Sequence, residues 1–403
     1  MSVKQGFLSA NYHTCGIDEF DSNPLISALP PFKNKANVFD ILNKYPKFSD
    51  SDIELDAEVR MQLVNRLKYV FQPLPVHYNM WLCVNNLIRE GYISRNPFDK
   101  SYISHVHQMG KNIILKEFDN SLSQYFNSSA GAALIIGYSG MGKTTSLNLI
   151  LNEIPQVITH TLFESSQFIR TQVTWLKIDA PFNCSIKGLV FNFFMELDKV
   201  LGTNYFEIYS KRRLTLDELL AIVSKTADNV SLGTLIIDEF QHVKGKGMKQ
   251  LLNFFVTLLN VTGIPVIFVG TNAVLQVLES EMRIARRITG NEMIKLENMK
   301  FDEEFRLFVN GVWSFQYQKE YIPLSSEILQ AIYEETQGIT DLIIKLLIAV
   351  QREVIKTGYE KIDVKIIQKV ATKQFSSLRP ILHAIRTNNL NRLSMYEDLM
   401  PLS

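Results

Sequence analysis

The run Gly137-Tyr138-Ser139-Gly140-Met141-Gly142-Lys143-Thr144 fits G-x-x-x-x-G-K-[ST] at every position. It constrains the fold more than any other feature, because such a loop works only between a buried strand and the first turn of a helix. Residues 132–136 (AALII) supply a strand-length apolar run before it, and 144–151 supply a helical pattern after it. Glycines let successive backbone N–H groups curl around a phosphate, and a helix N-terminus adds positive potential. The pattern predicts an ATP site running from Gly137 to Thr145. Lys143 would reach the β and γ phosphates, and the Thr144 hydroxyl would coordinate Mg²⁺.

A second signal lies downstream in Leu235-Ile236-Ile237-Asp238-Glu239. An apolar strand ends there in two carboxylates, at the sheet edge where α/β folds bind ligands. Asp238 is expected to hold Mg²⁺ and Glu239 to act as general base on the attacking water. The run Val266-Ile267-Phe268-Val269-Gly270-Thr271-Asn272 is a further buried strand with a polar end. Thr271 and Asn272 are either γ-phosphate or water sensors or a plain helix N-cap.

Apolar runs at 132–136, 173–178, 234–237, 265–269 and 293–296 alternate with longer helical stretches. Strands apolar throughout, separated by helices, imply a parallel sheet covered on both faces. Residues 301–315, 325–335, 340–356 and 364–372 read as four amphipathic helices without strands. Residues 1 to about 110 carry Pro and Asn breakers around short helical patterns at 57–71 and 79–90. The expected fold is therefore α/β: an AAA+ P-loop ATPase with a parallel five-stranded sheet core, a C-terminal helical lid and a helical N-terminal region. The expected boundaries are 1–110, 111–297 and 298–375, with a C-terminal tail at 376–403 available for a partner contact.

Lys and Arg total 42 against 41 Asp and Glu, so any polyanion contact must come from a local patch. Cys15, Cys83 and Cys184 have neither zinc spacing nor the look of a disulfide framework. The N-terminus lacks an apolar signal core, and the longest apolar stretch, 251–270, is broken by Gly263 and Pro265. A cytoplasmic protein without a membrane span is expected.

Arg283, Arg286 and Arg287 cluster near a helix end. Such clusters are usually solvated, but in AAA+ proteins this position presents an arginine to the neighbouring subunit's ATP, with Arg287 and Arg286 ahead of Arg283 here. Lys187 and the triplet Lys211-Arg212-Arg213 follow the second strand, in a segment that faces the channel of ring ATPases. They are the candidate phosphate contacts for duplex DNA, against the plainer reading of a solvated surface. His242 is expected to be structural or a polar relay, and His105 and His107 not to bind metal.

Several further stretches resemble the TnsC/TniB family of transposon AAA+ regulators, nearest to its TnsC branch. They include Val157-Ile158-Thr159-His160, Leu176-Lys177-Ile178-Asp179, Asn192-Phe193-Phe194, Gly202-Thr203-Asn204-Tyr205 and Asp238-Glu239-Phe240-Gln241-His242. Leu252-Asn253-Phe254-Phe255-Val256-Thr257, Gln337-Gly338-Ile339-Thr340-Asp341 and Arg392-Leu393-Ser394-Met395-Tyr396-Glu397-Asp398-Leu399 also fit. So do Phe71-Gln72-Pro73-Leu74 and Gly91-Tyr92-Ile93-Ser94-Arg95-Asn96-Pro97, and the likeness covers nearly the whole chain.

The resemblance implies an ATP-dependent homo-oligomer, a ring or short helical filament, on double-stranded target DNA without sequence preference. It would link a target-selection protein to transposase subunits, and hydrolysis would disassemble it. Lys143, Thr144, Asp238 and Glu239 match the family's nucleotide site. Two features depart from it. The lid position that supplies a sensing arginine in other AAA+ proteins reads Gly338-Ile339-Thr340-Asp341, and the chain stops soon after Asp398, where longer members continue. The competing functions are a replication-initiator-like loader or motor and a nucleotide-binding scaffold without DNA contact.

Overall fold

A computed structural model describes residues 6–115, 130–243, 247–275, 292–389 and 393. Its strands are β1 (Leu8–Ser9), β2 (Ala132–Gly137), β3 (Val157–Phe163), β4 (Ser166–Val173), β5 (Trp175–Asp179), β6 (Thr234–Asp238), β7 (Val266–Gly270) and β8 (Glu292–Leu296). The larger sheet has the order β5-β6-β7-β2-β8 and is parallel, as the apolar runs predict. Every residue of β2, β6 and β7 is buried. That is the signature of central strands covered on both faces, and it explains why they read as continuous apolar runs. β7, which Thr271 and Asn272 follow, lies between the P-loop strand β2 and the acidic strand β6.

The second predicted strand needs correction. Residues 173–178 are not one strand: Val173 ends β4, and β5 begins at Trp175. Thr174 separates them, donating its N–H to the Gln156 carbonyl (2.9 Å) and its hydroxyl to the Pro155 carbonyl (2.5 Å). β4 pairs antiparallel with β3, and β1 adds to β3 in parallel, making a three-stranded sheet that the apolar runs do not reveal. The β3–β4 hairpin mixes buried and exposed positions and places His160 and Gln172 inside, hydrogen-bonded to each other at 2.9 Å. Such a strand has no uninterrupted apolar run to detect.

The chain divides into two compact units. The first comprises Met1–Lys33, Asn79–Ile136 and Thr144–Ile294, and the second Asn34–Tyr78, Gly137–Lys143 and Lys295–Ser403. In the first unit the N-terminal segment is tied down by Asn23, whose amide donates to the Tyr92 carbonyl at 2.7 Å while its carbonyl oxygen caps Leu25 N–H. Arg95 is fully buried and donates to the Gly91 carbonyl (2.6 Å) of the helix Pro75–Ile93 and to the Leu232 (2.7 Å) and Gly233 (3.3 Å) carbonyls at the entry to β6. An arginine with no carboxylate partner among these contacts thus spends its donors on three backbone carbonyls.

In the second unit the helices Glu303–Trp313, Ser326–Thr336, Thr340–Thr357 and Val364–Gln374 match the four predicted ones to within about two residues. Three start at side-chain caps, with Asp302, Ser325 and Asp363 accepting backbone N–H bonds. The helix Thr340–Thr357 is the most deeply buried, through Ile343, Leu346, Leu347, Val350 and Val354. Arg60 is pinned in the same unit by Glu360 at 2.6 Å and by the Leu55 and Tyr317 carbonyls.

Candidate functional site

The P-loop leaves the C-terminal end of β2 and enters the helix Lys143–Asn152. Gly140 and Gly142 have φ of +82° and +81°, a region that suits glycine and that the curl of the loop requires. Lys143 Nζ donates to the Gly137 and Tyr138 carbonyls at 2.9 and 2.8 Å, so the ammonium group is folded back over its own loop. Gly140 is held from the other side. Its carbonyl accepts from Thr340 Oγ1 at 2.6 Å and from Asp341 N–H at 3.0 Å, and a Cβ there would meet Asp341 Cβ at 3.1 Å. The Gly338–Asp341 segment, which carries no arginine, therefore grips the loop through a hydroxyl and a helix N-terminal N–H.

In the first unit, Thr144 Oγ1 lies 3.1 Å from Asp238 Oδ2 and 3.4 Å from Oδ1. Ser139, Met141 and Thr145 complete the predicted loop, with Met141 N–H bonded to the Tyr138 carbonyl. Asp238 ends β6, is 3% exposed, and takes a 3.2 Å contact from Lys177 Nζ on the neighbouring strand β5. Lys177 is a site residue that spacing alone does not reveal. The sequence places it two positions before the strand's end, and only the parallel pairing brings it to Asp238. The oxygens of Thr144 and Asp238 are hard donors of the kind Mg²⁺ takes.

Glu239 follows in a left-handed conformation (φ +56°), unusual for a non-glycine residue and concentrated at functional turns. Its carboxylate is half-exposed and lies 3.5 Å from His242 Nε2, whose ring is tilted by 35° against Phe182 with the centroids 4.7 Å apart. Gln241, unassigned in the sequence reading, donates from Nε2 to Glu239 Oε2 and accepts from Thr271 N–H at 3.2 Å. Thr271 and Asn272 are buried at the end of β7, and among the described residues the Thr271 hydroxyl has no hydrogen-bond partner. An orphaned hydroxyl at the carboxyl edge of the sheet is what a ligand-sensing residue would present. Thr144, Asp238 and Thr271, all of the first unit, fit a Mg²⁺-nucleotide.

The predicted DNA contacts are all exposed. Lys187 sits in the first turn of the helix Ile186–Leu201 with Nζ 5.3 Å from the Phe191 ring centroid. Lys211 pairs with Glu207 at 2.7 Å, and Arg212 lies 5.5 Å from the Tyr209 centroid. Arg213 is exposed beside them. Arg283, Arg286 and Arg287 lie outside the described residues. His105 is structural, its Nε2 bonded to the Val261 carbonyl at 2.9 Å, and among the described residues no helix is long and apolar enough to cross a membrane.

Comparison with known proteins gives one family match and several distant structural ones. Residues 126–278 match the AAA domain family. No curated protein matches the chain. Among solved structures, Drosophila ORC bound to DNA is 10% identical over 87% of this chain and 71% of its own, with a TM-score of 0.46. The walker-type ATPase of Pyrococcus abyssi is 15% identical over 75% and 78%, at 0.40. The Thermotoga maritima RuvB branch migration motor is 13% identical over 70% and 69%, at 0.36. The family match falls on the segment that carries the P-loop, Asp238, Glu239 and Thr271, so residues 126–278 are similar to the AAA domain family.

Proposed function

We propose that this protein is an ATP-dependent, DNA-binding regulator of DNA transposition that oligomerises on duplex DNA and disassembles when it hydrolyses ATP. The observation that carries the nucleotide half is the 3.1 Å approach of Thr144 Oγ1 to Asp238, which joins the P-loop helix to the acidic strand. The transposition half rests on the TnsC/TniB-like stretches of the sequence, which also imply a target-selection protein and transposase subunits as partners.

Bound Mg²⁺-ATP supplies the γ-phosphoryl group and the metal charge that stabilises its transfer. The chain's own residues do the rest. The loop N–H groups and Lys143 would bind phosphate, while the Thr144 hydroxyl would coordinate Mg²⁺ and Asp238 would hold it through its water shell. Lys177 orients Asp238 through their 3.2 Å ion pair. Glu239 takes the proton from water, and Thr271 and Asn272 report on the γ position. Arg286 or Arg287 acts on a neighbour's site, the helices of 298–375 serve as the lid, and the 376–403 tail is the partner contact. Lys187, Lys211, Arg212 and Arg213 contact DNA phosphates, which gives sequence-tolerant binding.

The test is assembly on duplex DNA followed by electron microscopy and light scattering. With ATP the parent protein should form assemblies that decay as nucleotide is consumed, and Glu239→Gln should form assemblies that persist. Assembly that ignores ATP would reject the switch. ATP-driven strand separation would select the loader or motor reading instead.

A further inference from the structure

We infer that Gln241 is a positioning residue that ties the carboxylate of Glu239 to the end of β7, so that base and sensor are set by one amide. The inference rests on the reading of Glu239 as the base. It stands on four observations that converge on one side chain.

First, the amide is used at both ends. Its Nε2 donates to Glu239 Oε2, and its Oε1 accepts from Thr271 N–H at 3.2 Å. A carboxamide offers a donor and an acceptor on one planar group, and only this orientation of the amide satisfies both neighbours. Second, Gln241 is 8% exposed, so water competes weakly for these bonds. Third, its backbone is anchored. Phe240 is fully buried, with its ring 4.7 Å from Phe268 of β7 and 6.1 Å from Phe255, which fixes the short turn Phe240–His242 that carries Gln241. Fourth, β7 makes room for it at Gly270. A Cβ there would lie 2.8 Å from Gln241 Oε1 and 3.3 Å from its backbone nitrogen, closer than side chains normally approach.

The consequence is geometric. Glu239 has a half-exposed side chain on a left-handed backbone, with freedom to swing. The bond from Gln241 removes much of that freedom and refers the carboxylate to Thr271, whose unpartnered hydroxyl is the sensor candidate. A general base must be held within hydrogen-bond reach of its water, so loss of this tether should lower turnover and leave nucleotide binding alone.

The experiment uses the full chain and compares the parent with Gln241→Met, which keeps length and removes both bonds, and with Glu239→Gln. Steady-state ATPase rates and the affinity for a fluorescent ATP analogue are measured for each. Gln241→Met should lose about tenfold in kcat, the scale of one hydrogen bond to a charged group, with affinity unchanged. Gln241→Glu, which keeps size and places a like charge beside Glu239, should show the same split and carries the test if the Met variant does not fold. Parent kcat in a folded Gln241 variant, or a parallel fall in kcat and affinity, would overturn the tether while leaving Glu239 as base. Glu239→Gln at the parent rate would instead remove the base itself, and the tether with it.

Discussion

Thr144 Oγ1 and Asp238 Oδ2 stand 3.1 Å apart although 94 positions separate them in the chain. The hydroxyl opens the helix after the P-loop, and the carboxylate closes β6, so two oxygens from different elements face one point. Thr144→Val keeps the volume and removes the hydroxyl. Nucleotide affinity in the presence of Mg²⁺ should fall about ten- to a hundredfold, while affinity in EDTA should barely change. Titration of a fluorescent nucleotide with and without Mg²⁺ checks this. An unchanged metal dependence would remove Thr144 from the metal site.

Lys143→Ala should abolish nucleotide binding, because the loop loses its only cationic side chain. Mixed with Arg287→Ala, it should recover part of the ATPase activity, since each chain supplies what its neighbour lacks. The readout is ATPase rate against mixing ratio. A flat profile with both chains folded and associated would argue against an arginine acting between subunits.

Lys187 and Lys211 test the DNA surface. If they contact phosphate, log affinity should fall linearly with log salt, and each lost contact should make the slope shallower by about 0.9. The double alanine variant should bind every duplex more weakly and keep its nucleotide affinity. Fluorescence anisotropy at several salt concentrations decides, because an unchanged slope would return both lysines to the solvated surface. The pairing of Lys211 with Glu207 makes it the weaker contributor of the two.

Arg60 and Glu360 supply a stability prediction away from the nucleotide. The guanidinium is 2% exposed and makes two bonds to the carboxylate and two to backbone carbonyls. Glu360→Gln leaves a buried cation short of its counter-charge and should destabilise the fold by about 3 kcal/mol in denaturant titration at neutral pH. The hydrogen bond from Arg60 holds the Glu360 carboxyl below its ordinary value of 4.5. A depressed folded value means the contribution is present above the unfolded value and is lost as pH falls through the folded one. The gap between parent and variant should therefore narrow in acid. A gap constant from pH 7 to pH 3 would assign the effect to packing.

The sequence by itself determined the parts of this protein that depend on neighbours in the chain. The P-loop is a local pattern, and the buried strands β2, β6 and β7 announce themselves because a strand covered on both faces must be apolar throughout. The four helices from 303 to 374 are legible because a 3.6-residue period is written into each helix, and three of them add an Asp or Ser cap. Tertiary structure alone decided what depends on distance. The hairpin β3–β4 escapes because its inward residues include His160 and Gln172, whose burial is made possible by a cross-strand hydrogen bond and not by hydrophobicity. The sharing of residues 1–78 between two compact units follows from contacts such as Arg60 with Glu360, 300 residues away, and leaves no local trace. Gln241 lies one position beyond the predicted base's neighbour Phe240, yet its second partner, Thr271, is 30 residues on. A glutamine after an acidic pair is unremarkable until parallel pairing of β6 with β7 brings the two strand ends together, and pairing of that kind is a property of the folded chain.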